Sequence, residues 1–204
     1  FRFGTVGKVM PGGELALGED GEVLYRGPNL MLGYWNRPDE TAASIVDGWL
    51  HTGDVGRLDG GYLQITDRIK DLIVTSNGKN VAPAPIEGLL ASDPLFEYSL
   101  LLGDNRPYLT LLVAPSLPHL DEIGTQLQLS WARREELLAH PEVLAEIWRR
   151  LSTLTEKLPR HEQMRDLRLL PDGFTLVNGL LTPTLKGKRK EVEARLPQLV
   201  DEMY

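Results

Sequence analysis

Four short stretches of this 204-residue chain bring together residue types able to meet a phosphorylated ligand. In GWLHTGD, Asp54 follows Gly53. A carboxylate in a glycine turn can accept two hydrogen bonds from a ribose diol, although Asp after Gly is also common turn chemistry. In TDRIKDL, Asp67, Arg68, Lys70 and Asp71 fall between two apolar stretches. Arg68 is able to donate to a nucleotide's hydroxyls, and the plain alternative is a solvated ion-pair cluster. TSNGKNVAPAPIE carries Gly78, Lys79 and Asn80 in a polar turn that runs into a proline-defined helix start. Such a loop suits close backbone approach to a ligand, or serves only as a connection. LTPTLKGKRK sets Lys186, Lys188, Arg189 and Lys190 within five positions. Pro183 and Gly187 limit and loosen the backbone around Lys186, which either meets a phosphate or decorates the surface.

The elements that must position these stretches follow from hydrophobic period and turn residues. ELALGEDGEVLYRG reads as a hairpin turning at Glu19-Asp20-Gly21, and VGRLDGGYLQIT as a second one turning at Asp59-Gly60-Gly61. RPDETAASIVDG predicts a short helix with Pro38 at its first position. Asp39 and Glu40 stand in the positive first turn, and Gly48 comes just past the end. DLIV is a strand, TSNGKN a turn, and PIEGLLAS a helix opening near Pro85. YSLLLG and YLTLLVAP, parted by Asp104-Asn105-Arg106-Pro107, form a second sheet.

Residues 130 to 158 are helical by period, divided at His140-Pro141. Val143, Ile147, Leu151 and Leu154 make a stripe with Trp148 beside it, as packing against a sheet requires. A last helix covers about 190 to 203, interrupted by Pro197. The change from hairpins to a mixed pattern near residue 67 marks the domain boundary.

Composition sets the outer bounds. With 42% hydrophobic and 25% charged residues the chain is globular. Its net charge of -7 makes the basic loop a local exception, so nucleic acid is not expected as a partner. Without cysteine, neither disulfide nor thiolate chemistry contributes. No apolar run reaches about 18 residues and no signal-peptide pattern opens the chain, which favours a cytoplasmic protein. The opening FRFGTVGKV has no initiator methionine and starts mid-pattern, as a fragment of a longer chain would.

Taken in order, GEVLYRGPNLMLGYW, HTGD, DRIKD, GKNVAPAPIE and TPTLKGKR resemble the acyl-activating, adenylate-forming enzymes. TSNGKNVAPAPIE and LTPTLKGKR look most like the long-chain fatty acid CoA ligase branch. The resemblance implies an α+β fold in two parts. Residues 1–67 would be the β-rich last subdomain of the large AMP-binding domain, truncated at its N-terminus. Residues 68–70 would form a hinge centred on Lys70, and residues 71–204 the mobile C-terminal domain. The phosphate loop, the adenine site and most of the acyl pocket would belong to the missing N-terminal domain of the same chain, this fragment's first partner.

The chemistry so implied has two steps. A fatty acid carboxylate attacks the α-phosphate of ATP with Mg²⁺ assistance, giving acyl-adenylate and pyrophosphate. The thiol of CoA then displaces AMP. By the same resemblance Asp54 binds the ribose hydroxyls, Arg68 supports it, and Lys186 approaches the carboxylate and α-phosphate as the catalytic cation. A swing about Lys70 then brings Gly78, Lys79 and Asn80 to the CoA side. Lys188, Arg189 and Lys190 hold the loop, meet CoA phosphates, or are simply solvated.

One departure stands out. Several relatives carry a basic residue four positions after the hinge, where this chain has Val74, so their CoA contacts do not carry over unchanged. Two alternatives remain at this stage. One is an acyl-AMP ligase that passes the acyl group to a carrier protein; the insertion that marks that branch is not visible after Lys70. The other is a non-catalytic interaction module. Peripheral membrane association of the parent would suit lipid substrates, though no amphipathic anchor is evident here.

Overall fold

The computed structural model describes residues 2–18, 20–171, 173–175, 177–182 and 187–204. Among the expectations above, Glu19 of the first turn and the segment Pro183 to Lys186 lie outside the described residues. The chain divides into two compact units, Phe1–Leu72 and Ile73–Tyr204.

The first unit is an antiparallel sheet built on one long strand. Strands β1 (Gly7–Lys8), β2 (Glu14–Leu17), β3 (Glu22–Arg26), β5 (Trp49–Asp59) and β6 (Tyr62–Arg68) lie in the order β1-β6-β5-β3-β2, and β4 (Ile45–Val46) also pairs with β5. Both expected hairpins form, with Leu17 opposite Val23 and Asp59 opposite Tyr62. Helix α1 (Pro38–Ser44) begins at Pro38 as expected.

Gly48 is a correction. It does not follow the helix but completes a two-residue turn with Asp47 that folds β4 back onto β5, with Val46 opposite Trp49. Both turn residues have positive φ, 50° and 78°, the geometry that matches strand twist in a tight hairpin. Val23 and Leu63 are the fully buried apolar side chains of this unit among the described residues, while Leu32 and Trp35 are 104% and 89% exposed.

The second unit has a central sheet between two sets of helices. Strands β9 (Tyr98–Leu102), β10 (Leu109–Ala114) and β11 (Met164–Leu169) lie in the order β11-β10-β9. Leu111 on β10 faces Leu101 antiparallel and Leu167 parallel. Because side chains alternate across a strand, each face feeds a different core. Leu101, Leu109, Leu111 and Val113 join Ile86, Leu120, Val143, Ile147 and Leu151 of helices α2 (Pro83–Leu90), α3 (Leu117–Gln126) and α5 (Pro141–Thr155). Leu100, Leu102, Leu112 and Ala114 instead meet Phe174, Leu180, Leu181, Val192 and Val200, the last two from α6 (Arg189–Arg195) and α7 (Pro197–Asp201).

Several boundaries differ from the sequence reading, each for a local reason. α2 opens at Pro83, two residues before Pro85, because Pro83 also fits the first helical turn. The helical stretch starts at α4 (Arg134–Leu138) rather than residue 130, and His140 ends it by capping α5, its Nδ1 accepting the Glu142 N–H at 3.3 Å. Pro197 starts α7 instead of bending one long helix. From DLIV only Ile73–Val74 is extended (β7), pairing with Asn80–Val81 (β8), while Asp71 lies in a 3₁₀ turn. Strand β11 and helix α3 were not anticipated.

Candidate functional site

Asp54 and Arg68 are cross-strand partners on β5 and β6, next to a register shift between Val55 and Gly56. Arg68 Nε stands 2.6 Å from Asp54 Oδ1, with the carboxylate 27% and the guanidinium 56% exposed. Neighbouring strands bring opposite residues within reach, so this pairing follows from register. The expected glycine turn is a correction: Gly53 and Asp54 lie within β5, at a bulge where Thr52, Gly53 and Asp54 stand opposite Val23, and this bulge is braced from β3. Glu22 Oε1 accepts the Gly53 N–H at 2.9 Å, and Glu22 Oε2 lies 2.8 Å from His51 Nδ1. Thr52 donates its hydroxyl to the Val23 carbonyl at 2.6 Å and accepts the Asp54 N–H at 3.1 Å. Gly53 takes φ +69°, a backbone state that side chains rarely tolerate, and this lets β5 bulge against β3 while Asp54 stays paired with Arg68. Glu22, His51 and Thr52 therefore fix the bulge. The sequence reading passed over all three, although two stand inside the quoted stretch.

Lys70 is exposed within the 3₁₀ turn Ile69–Asp71, closed by the Leu72 N–H donating to the Ile69 carbonyl at 3.2 Å. Gly78, Lys79 and Asn80 belong to the second unit. Their turn is closed by the Thr75 N–H on the Lys79 carbonyl at 3.0 Å and the Gly78 N–H on the Thr75 carbonyl at 2.8 Å. Asn77 Nδ2 donates to the Pro107 carbonyl at 3.2 Å, and the Ser76 N–H donates to the Arg106 carbonyl at 2.9 Å. The turn is thus stitched to the loop between β9 and β10.

Beside it opens a cavity of about 300 Å³ whose lining includes Lys79, Tyr108, Arg160, His161 and Arg165. No carboxylate is among its described lining residues, and Lys79, Arg160 and Arg165 bring three cations to it. Arg165 lies over the Tyr108 ring, 5.6 Å from the centroid. Arg160, His161 and Arg165 had no signal in the sequence, because they come from a 3₁₀ segment and a strand some 80 residues beyond Lys79.

Lys186, the expected catalytic residue, lies outside the described residues. Its flanks are placed: Leu181 bridges to Gly187, and the Lys188 N–H donates to the Leu180 carbonyl at 2.9 Å. Among the described residues no group of three or more His, Asp or Glu could hold a metal ion, so none of them is assigned to Mg²⁺.

Comparison with known proteins decides the family. The profile of the AMP-binding enzyme C-terminal domain matches residues 70–204. The chain belongs to that family. Over its whole length it is 41% identical to a Mycobacterium tuberculosis protein with the provisional name fatty-acid–CoA ligase fadD11, covering 36% of that protein. It is likewise 36% identical to the long-chain-fatty-acid–CoA ligase FadD15 of M. tuberculosis, covering 34% of it. The chain therefore spans about a third of these curated relatives. Among solved structures, the adenylation domain of a carboxylate reductase from Mycobacterium chelonae superposes with a TM-score of 0.73 at 22% identity, over all of this chain and 32% of that one. At that identity the likeness is one of fold. The family match begins at Lys70, two residues before the end of the first compact unit. Among the described residues, no helix of this AMP-binding C-terminal domain protein is long and apolar enough to cross a membrane.

Proposed function

We propose that this chain is the C-terminal part of an ATP-dependent fatty acid–CoA ligase. The observation that carries the reading is full-length alignment, at 41% and 36% identity, with two proteins bearing that name. In the first step a fatty acid carboxylate oxygen bonds to the α-phosphorus of ATP as pyrophosphate leaves. In the second, the CoA sulfur bonds to the acyl carbon as AMP leaves. Mg²⁺ travels with the nucleotide phosphates. The cytoplasm, which supplies ATP and CoA together, is the compartment this chemistry calls for.

Each site residue has a physical task in this reading. Asp54 accepts from the ribose hydroxyls. Its side chain is 27% exposed, which leaves the carboxylate open to a ligand. Arg68 orients the carboxylate through its ion pair. Lys186 neutralises charge that builds on the phosphorus oxygens where two anions must meet. Residues 1–67 form the end of the large domain, and 71–204 a domain that swings about 68–70 with Lys70 as pivot; an exposed side chain there tolerates either backbone state. The scarce core of the first unit, with Leu32 and Trp35 in solvent, suits a sheet that continues into a larger domain of the same chain.

CoA is the favoured acceptor. Val74 is exposed on β7 and offers no charge, but Lys79, Arg160 and Arg165 supply cations around the cavity beside Gly78 and Asn80. The 3₁₀ turn at Lys70 passes into β7 within two residues, leaving no room for an insertion.

The deciding experiment is Lys186→Ala in the full-length enzyme. ATP–pyrophosphate exchange falls by about 10²–10³, as for loss of one group that stabilises the transition state. Supplied acyl-adenylate is still converted to acyl-CoA. Unchanged exchange would refute the assignment.

A further inference from the structure

Beyond Lys186 the chain is tied to the sheet through an ion pair with no part in the chemistry above. Leu181 and Gly187 bridge, and the Lys188 N–H donates to the Leu180 carbonyl, so residues 180–181 and 187–188 are paired with each other. Gly187 lies hard against β9. A Cβ there would stand 2.7 Å from Leu100 Cδ1, and Leu100, 3% exposed in the core, has little space to retreat. Arg189 then reaches back across the strand edge. Its Nε donates to the Leu101 carbonyl at 2.6 Å, and a terminal nitrogen donates to Glu87 Oε1 at 2.7 Å. The same carboxylate oxygen accepts the Leu101 N–H at 2.9 Å.

Strand β9 is an edge, and the outward N–H and C=O of Leu101 would otherwise lack strand partners. Arg189 and Glu87 are only 17% and 25% exposed, so the pair is largely withdrawn from water. Removing one member there leaves the other uncompensated. Arg189 suits the place because its planar fork serves two acceptors at once; a lysine is a point charge on a flexible stem.

We propose that Arg189 and Glu87 are positioning residues for adenylation, fixing the root of the lysine segment on β9 and α2. Gly187 is the covalent neighbour of Lys186, so what anchors residues 187–189 limits where that lysine can be presented. This inference rests on the role given to Lys186 above. Small misplacements of a reacting group cost on the order of 10²-fold in rate.

The test compares half-reactions in the full-length enzyme. Arg189→Ala and Glu87→Ala each lower ATP–pyrophosphate exchange by about 10- to 100-fold, while conversion of supplied acyl-adenylate with CoA changes by less than about twofold. Arg189→Lys, which keeps the charge but not the fork, recovers part of the exchange. Lys190→Ala, exposed on α6, leaves both steps unchanged.

Lys186→Ala separates the two ideas. If it leaves exchange intact, the role of the lysine falls. If it abolishes exchange while Arg189→Ala affects neither step, the positioning role alone falls. Equal loss of both half-reactions in Arg189→Ala, with no recovery in Arg189→Lys, would show a general folding role and overturn the proposal.

Discussion

Glu22 and Gly53 are joined across two strands: the β3 carboxylate accepts the backbone N–H of the glycine in β5 at 2.9 Å, with His51 2.8 Å from its other oxygen. Glu22 is only 15% exposed at its side chain. A charge-assisted bond of this kind contributes about 1.5–3 kcal/mol. Glu22→Ala in the full-length enzyme should weaken AMP binding about tenfold or more, read by calorimetric titration, since each 1.4 kcal/mol is about tenfold. Unchanged affinity would mean that the strand segment presenting Asp54 needs no brace.

The cavity beside Lys79 makes a separate demand on CoA. Replacing Lys79 and Arg165 together by alanine should raise the KM for CoA about tenfold at low salt and leave ATP–pyrophosphate exchange as it was. The effect should shrink as ionic strength rises. A matching loss in exchange would show that these cations serve the first step instead.

Glu146 on α5 gives a pH test of stability. The Arg149 guanidinium bonds both its oxygens at 2.7 Å, and Arg150 adds a bond at 2.9 Å. These partners, Arg149 foremost, lower its carboxyl from an ordinary 4.5 to about 2. Because the folded-state value is depressed, the stabilisation is present in full above about 4.5 and disappears as pH falls through about 2. Glu146→Gln should therefore cost about 1 kcal/mol at pH 7, and the two proteins should converge near pH 2 in urea denaturation. A difference that persists at pH 2 would point to packing as the cause.

Leu111 sits at the centre of β10 with sheet partners on both sides. Leu111→Ala leaves a cavity in a close-packed core and should destabilise the second unit by about 2–5 kcal/mol. A urea midpoint within error of the parent would contradict the layered core described above.

The 204-residue chain by itself should form no measurable acyl-CoA from fatty acid, ATP and CoA. Without the remaining two-thirds of the relatives' length, ATP and acid are not held together, and the gain from effective molarity is lost. Turnover above a boiled control would sink this expectation.

What could be read from residue order alone was local. Turn dipeptides marked both hairpins of the first sheet, and the three- and four-residue stripe marked α5, because both signals depend on neighbours within a few positions. The order of GEVLYRGPNLMLGYW, HTGD, DRIKD, GKNVAPAPIE and TPTLKGKR pointed to the family that the profile match established. Strand β11 escaped notice because Arg165, Asp166 and Arg168 interrupt its apolar alternation on the edge of the sheet. The Gly48 turn escaped because a glycine after a helix-like run fits two local structures, and only pairing with β5 selects one.

The sequence by itself determined which candidate groups the chain carries and where along it they stand: a carboxylate at Asp54, a guanidinium at Arg68, and cations at Lys79 and Arg189. Tertiary structure alone decided what each of them faces. Asp54 meets Arg68 because register sets them opposite, Glu22 reaches Gly53 from another strand, and Lys79 gains Arg160 and Arg165 from far along the chain. Arg189, one cation among four in a run, becomes the tie between α2, β9 and the lysine segment. The reason is physical. Residue type and spacing are properties of the chain, whereas a partner across 31 or 102 positions exists only once the sheets have closed.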